Sequence, residues 1–278
     1  MQFRVRHLTH YSYARAVNLA PHIIRLHPRA DANVLVQAYT CDIDPVPRVC
    51  SYCLDDAGNV VLRVEFDTPT LQLQIDSCFV ADTRSNVHDL QPVAAGLPAH
   101  YSRKEAESLK AYCEQPVLDA VAGNLLDELT LASHGQPLLF LDALNTYIYR
   151  HIKREIRDLG APQTPAQTLT RRCGACRDLA VLFIAVCRAQ GFAARFVSGY
   201  QAKAEVDHGQ RYMHAWPEVY VPGVGWRGYD PTHASLVDDA HVAVAAAFSP
   251  AGAAPVEGSY YGEAVRSELS FRLSIEVE

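Results

Sequence analysis

An α+β fold follows from three features of the 278-residue sequence. The N-terminal part carries the two-residue period of half-buried strands, the middle carries helical periodicity, and the remainder returns to strand patterning. In the first part Phe3 and Val5 alternate with Arg4 and Arg6, Leu62, Val64 and Phe66 with Arg63 and Glu65, and Leu71, Leu73 and Ile75 with Gln72, Gln74 and Asp76. Each run reads as a strand with one buried face. Asp55-Asp56-Ala57-Gly58-Asn59 is a turn signal before one of them. Short strands parted by turns point to an antiparallel sheet or sandwich. The segment 91–100, with Pro92, Gly96 and Pro98, is a candidate boundary. It divides the chain into a β-rich region, 1–90, and a second region, 91–278.

Helices open the second region. Ser102 and Glu105 form an S-x-x-E capping box, and Pro116 ends that helix or lies just past its end. Leu141, Leu144, Ile148 and Ile152 share one face of a helix expected over 138–156, with Gly160 as its stop. A third helix runs through Leu179, Leu182, Phe183 and Val186, and Gly191 stands where a left-handed cap residue belongs. Strands are then expected over 194–201, 212–221 and 226–230 and around Val242. The last is the alternating run Leu269, Phe271, Leu273, Ile275 and Val277.

Composition narrows the functional classes. Hydrophobic residues make up 49% and charged residues 20% of the chain, enough to build sizeable cores. With a net charge of −6 and no basic block, neither nucleic acid nor an anionic membrane is indicated as a partner. The stretch from Met1 to Tyr13 is charged and alternating, unlike a secretory signal. The longest apolar run, Leu179 to Cys187, is far short of the roughly 20 residues that span a bilayer. A cytoplasmic location is therefore expected, and the eight cysteines read as free thiols rather than a disulfide framework.

One of those thiols has the setting of a nucleophile. Extending the third helix backwards puts Cys176 in its first turn, where unpaired N–H groups and a partial positive charge favour a thiolate. The same N–H groups could hold an oxyanion, and Gly174 and Ala175 leave room for a substrate backbone. A lone cysteine is more often a buried packing residue; the residues downstream change that balance.

His214 and Asp230 lie on either side of Val221-Pro222-Gly223-Val224-Gly225, a stretch of hairpin length. Each is eight residues from Pro222, so a hairpin centred there sets them directly opposite. Opposed side chains have Cβ atoms about 4.5–5.5 Å apart. The carboxylate would fix the imidazole tautomer and leave the other ring nitrogen for a thiol. Pro217, inside the first of these strands, needs a position without a ladder hydrogen bond.

These residues resemble the bacterial transglutaminase-like proteins, a group often described as cysteine proteases. The matching blocks are Gly174-Ala175-Cys176-Arg177-Asp178-Leu179-Ala180, Ala194 to Tyr200, His214-Ala215-Trp216, Gly225-Trp226 and Tyr229-Asp230-Pro231-Thr232. His10-Tyr11-Ser12-Tyr13, Arg25-Leu26-His27-Pro28 and Asp56-Ala57-Gly58-Asn59 resemble the β-rich domain that precedes this core. The resemblance implies a papain-like α+β core, with Cys176 as nucleophile, His214 as general base and acid, and Asp230 as orienting group. It implies a peptide or protein substrate, and the chemistry expected of these side chains requires no cofactor. The tryptophan that donates to the oxyanion in animal transglutaminases has no counterpart, since Trp216 and Trp226 both follow Cys176.

Two other classes compete. Cys50-x-x-Cys53 and Cys173-x-x-Cys176 could bind zinc or cycle as disulfides, although more than a hundred residues part them. A non-catalytic interaction module would keep the fold without the chemistry. Arg195 and Tyr200 either line the cleft or pack beside it, and Cys187 belongs to the core face of its helix.

Overall fold

The computed structural model describes residues 1–31, 33–85, 96–157, 160–203 and 210–278. Six strands come first: β1 (Gln2–Leu19), β2 (His22–Ile24), β3 (Val34–Asp44), β4 (Val49–Leu54), β5 (Val60–Glu65) and β6 (Thr70–Thr83). They are antiparallel, as expected from their alternation. Phe3, Val5, Leu73 and Ile75 are buried while Leu71, at the start of its strand, is exposed.

The middle holds α1 (Arg103–Leu109), α2 (Ala120–Ala132), α3 (Pro137–His151), β7 (Lys153–Arg154), α4 (Pro165–Arg171), β8 (Cys173–Gly174) and α5 (Cys176–Ala189). The Ser102–Glu105 capping box is present, but α1 ends earlier than Pro116 and gives way to a 3₁₀ turn over Lys110–Tyr112. The α3 helix stops at His151 rather than near 156. Ile152 turns extended, and Lys153 N–H donates to Arg172 O at 2.8 Å, drawing the chain into the parallel β7–β8 pair. Two helices had no counterpart in the sequence reading. Asp119 caps α2, and Thr164 with Gln167 forms a capping box on α4.

A second sheet follows, made of β9 (Ala193–Gln201), β10 (His214–Val221), β11 (Gly225–Asp230), β12 (Ser235–Leu236) and β13 (His241–Ala247), in the order β12-β11-β10-β9-β13. Helix α5 packs on one face through Leu179, Leu182, Phe183 and Val186, which share a core with Phe196, Ala215, Val219 and Val221. It ends in a paired cap: Gly191, at φ +85°, donates to Arg188 O, and Phe192 donates to Cys187 O.

The chain then returns to the first region. β14 (Val256–Glu257) pairs with β2, and both β15 (Tyr260–Tyr261) and β16 (Ser267–Val277) pair with β1. The final strand, grouped with 91–278 on sequence alone, thus lies in the N-terminal sheet. Phe3, Val5, Phe79, Leu273 and Ile275 of that sheet pack against Tyr200, Val242 and Val244 of the second one. The boundary expected over 91–100 lies partly outside the described residues.

Candidate active site

Cys176 is the first residue of α5, as its spacing from Leu179 implies, and it keeps part of its surface open. The helix begins there because Asp178 reaches back: its Oδ2 accepts the Ala175 N–H at 2.7 Å. Asp178 is fully buried, and its Oδ1 also accepts from the Gln163 N–H at 2.8 Å and from Arg157 at 2.7 Å. Its charge is therefore spent on Arg157, away from the thiol.

His214 opens β10 and Asp230 closes β11. His214 Nε2 lies 2.9 Å from Asp230 Oδ2, and both groups are buried. They are not directly opposite, as a hairpin centred on Pro222 would have made them. The ladder pairs Val219 with Arg227 and Val221 with Gly225, so the turn is centred on Gly223. Carried further, that register would set Asp230 against Trp216. The pair is instead diagonal, which keeps both side chains on one face and leaves the gap for the imidazole to span. Pro217 has the place its missing N–H demands. The β10–β11 ladder ends at Glu218, one residue short of it, and β11 goes on to pair Asp230 with Ser235 of β12.

The thiol and imidazole are in hydrogen-bonding contact and favour each other's charged form. Burial pushes the Cys176 thiol up, but the hydrogen bond and charge of His214, the Ala215 N–H and the Arg154 charge outweigh it, and the thiol lies below its ordinary value. Burial pulls His214 down, but Asp230 and the Cys176 thiolate raise it to about 10. Burial likewise opposes the charge on Asp230, yet three imidazoles hold it well below the usual carboxylate range. With Nε2 on Asp230, Nδ1 is the ring nitrogen left for sulfur.

Two of those imidazoles escaped the sequence reading. His233 Nδ1 donates to Asp230 Oδ2 at 2.8 Å and His241 Nε2 at 3.2 Å, while the Thr232 N–H donates to Oδ1 at 3.0 Å. His241 Nδ1 accepts from the Asp238 N–H at 3.4 Å, which fixes it as the neutral Nε2–H tautomer. The spacing Asp230-x-x-His233 was a usable signal; His241, from another strand, left none. Ligand atoms of His214, Asp230 and His241 come within 4.8 Å of one another. Both imidazoles aim Nε2 at the carboxylate itself rather than at a shared vacant point, so the cluster reads as a hydrogen-bond network.

Trp216 floors this network, with ring centroids 5.3 Å from His241 and 6.1 Å from His214. Its six-membered ring sits against Gly199, where a Cβ would strike the ring and the Val242 carbonyl oxygen. Arg195 pairs with Glu218 at 2.6 Å and lies 4.2 Å over the Trp226 ring. Tyr200 is wholly buried, its hydroxyl 3.0 Å from His7 Nδ1. Neither opens toward the thiol. Cys187 is fully buried.

The cysteine pairs do not assemble. Cys50 and Cys53 lie on strand β4, where positions three apart point to opposite faces. The Cys173 thiol donates to Glu155 at 3.0 Å while Cys176 turns to His214. Among the described residues these four thiols form no metal-binding group, and all eight cysteines are free.

A cysteine at the head of a helix, packed on an antiparallel sheet that carries histidine and aspartate, defines a papain-like α+β core. Residues 126–231 match the transglutaminase-like superfamily and residues 3–82 the bacterial transglutaminase-like N-terminal region. The chain belongs to the transglutaminase-like superfamily, with the bacterial N-terminal region ahead of its core. It is 28% identical over 295 residues to the uncharacterized protein Rv2569c of Mycobacterium tuberculosis, covering 99% of this chain and 92% of that one. It is 25% identical over 271 residues to the uncharacterized protein ML0607 of Mycobacterium leprae, covering 94% of each. A crystal structure called a "Putative Cysteine Protease from Cytophaga hutchinsonii" superposes with a TM-score of 0.70 at 19% identity, covering 99% of this chain and 90% of that one. It shares the fold across both regions.

Proposed function

We propose that Cys176, His214 and Asp230 form a catalytic triad that transfers acyl groups from amide bonds of peptides or proteins through a thioester, acting as a hydrolase. The observation that carries this reading is the imidazole of His214, which meets the Cys176 thiol on one side and Asp230 on the other. The Cys176 thiolate attacks the amide carbon, and a C–S bond forms as the carbonyl oxygen takes the negative charge. First-turn N–H groups of α5, among them that of Cys176, are the donors for that oxyanion. The C–N bond then breaks, and the departing amine takes the proton from His214 Nδ1. Water attacks the thioester with His214 as base, releasing the acid and restoring the thiol. An amine in place of water gives transamidation by the same first half. Nucleophile, base and orienting group are all protein side chains, so no step calls for a cofactor.

A peptide library incubated with wild type, Cys176→Ala and His214→Ala tests this, read by mass spectrometry with and without an added primary amine. Cleavage in wild type alone is the expected result, with mass-shifted amide products if amine competes. Turnover retained in Cys176→Ala overturns the proposal.

A further inference from the structure

β13 is the outermost strand of the core sheet, so its outward N–H and C=O groups need partners other than a strand. The N-terminal β region supplies them. The Ala246 N–H donates to Asn59 Oδ1 at 2.7 Å, and Asn59 Nδ2 donates to Ala246 O at 2.9 Å, a carboxamide taking the place of a neighbouring strand. Three residues back, the Arg29 N–H donates to Ala243 O at 2.8 Å. Arg29 Nη1 donates to Asn59 Oδ1 and, at 3.1 Å, to Ala57 O, tying the two contacts together. They grip the strand on either side of its register shift between Ala243 and Ala245.

Asn59 is fully buried, and its own turn does not need this contact. Asp55 accepts from the N–H groups of Ala57 and Asn59, and Gly58 supplies the positive φ. What the contact does is fix the strand that begins with His241, whose Nε2 lies 3.2 Å from Asp230 Oδ2.

We propose that Asn59 and Arg29 are positioning residues for the thiol site: by sealing the outer edge of β13 they hold His241, and through it Asp230, in place beside His214. The N-terminal β region is then a working part of the catalytic core rather than an appended binding module. This inference rests on the triad reading above. Few groups set the charge at the site: His214 and Arg154 face Cys176, Asp178 is turned to Arg157, and His214, His233 and His241 face Asp230.

The test is the pH profile of Cys176 alkylation by iodoacetamide, followed by peptide mapping in the full chain. Asn59→Ala is expected to react about tenfold more slowly than wild type at pH 7, as one unit's rise in thiol pKa gives. His241→Ala should show the same shift, and the double variant no more than either alone. Val64→Ala, a cavity in the N-terminal core away from Asn59, controls for general destabilisation and should stay within about twofold of wild type. If Asn59→Ala yields no folded protein, Arg29→Ala, which frees the Asn59 carboxamide, carries the same test. A wild-type profile in Asn59→Ala, or an equal slowing in Val64→Ala, overturns the inference. If His214→Ala and His241→Ala slow alkylation and Asn59→Ala does not, only the positioning role of Asn59 and Arg29 falls. If His214→Ala leaves the rate unchanged, the triad reading falls first.

Discussion

His214 and Asp230 meet at 2.9 Å although the hairpin that carries them places neither opposite the other. The contact depends on β11 leaving the β10 ladder at Pro217, and on three further donors holding the carboxylate in the gap.

The charge on Asp230 is the part of this contact that matters for the imidazolium. Asp230→Asn keeps the size of the side chain but presents an amide to three imidazoles. Peptide turnover should fall by about 10²-fold or more. Far-ultraviolet circular dichroism should remain that of wild type.

The pH dependence follows from the two opposed shifts. The thiolate–imidazolium pair persists between the lowered Cys176 value and the raised His214 value near 10. Alkylation of Cys176 should already be fast below the ordinary thiol pKa of about 8.5. Turnover should be bell-shaped, falling on the alkaline side as His214 loses its proton near 10.

Stability should respond to the same groups. A histidine raised on folding contributes stability in full below its unfolded pKa of about 6.5, and loses it as pH rises through the folded value. Asp230, depressed on folding, contributes above about 3.9 and loses it as pH falls toward its folded value. Urea midpoints measured from pH 5 to 10 should therefore decline on the alkaline side. His214→Ala should flatten that decline.

Asp178 is the anchor of the helix that begins at Cys176. Asp178→Ala strands the Ala175 and Gln163 N–H groups and leaves Arg157, itself a quarter exposed, with only the longer contact to Glu155 at 3.8 Å as an ion pair among the described residues. A loss of about 3 kcal/mol is expected, read as a lower urea midpoint at unchanged slope.

Gly199→Ala drives a methyl group into the Trp216 ring and the Val242 carbonyl oxygen. Overpacking of this kind costs about 1–3 kcal/mol. Because Trp216 floors the imidazole cluster, Cys176 alkylation should slow as well as the melting temperature fall.

Much of this was legible in the sequence because local rules and tertiary packing agree. Cys176 was placed by the period of Leu179, Leu182 and Phe183, which fixes where the helix must start. His214 and Asp230 were placed by hairpin parity, which survives a shift of the turn centre from Pro222 to Gly223 because the shift keeps both side chains on one face. The extent of α3 was misjudged because a tertiary contact, Lys153 to Arg172 O, overrides helical propensity after His151. Asp119 and the Thr164–Gln167 box were written in the chain, yet both sit in stretches with weak periodicity. His241 could not be found, since it heads a strand that β9 and β10 separate from β11, and nothing local in the sequence signals its contact with Asp230.

The pairing of β1 with β16 has a consequence for biosynthesis. Phe3 stands opposite Val277, so β1 leaves the ribosome long before the strand it pairs with. Contacts that long-range make folding slow and leave an unpaired edge in the nascent chain. Until β16 emerges, that edge is a surface for chaperones to cover, and a chain stalled before β16 is a substrate for aggregation rather than a partly working fold.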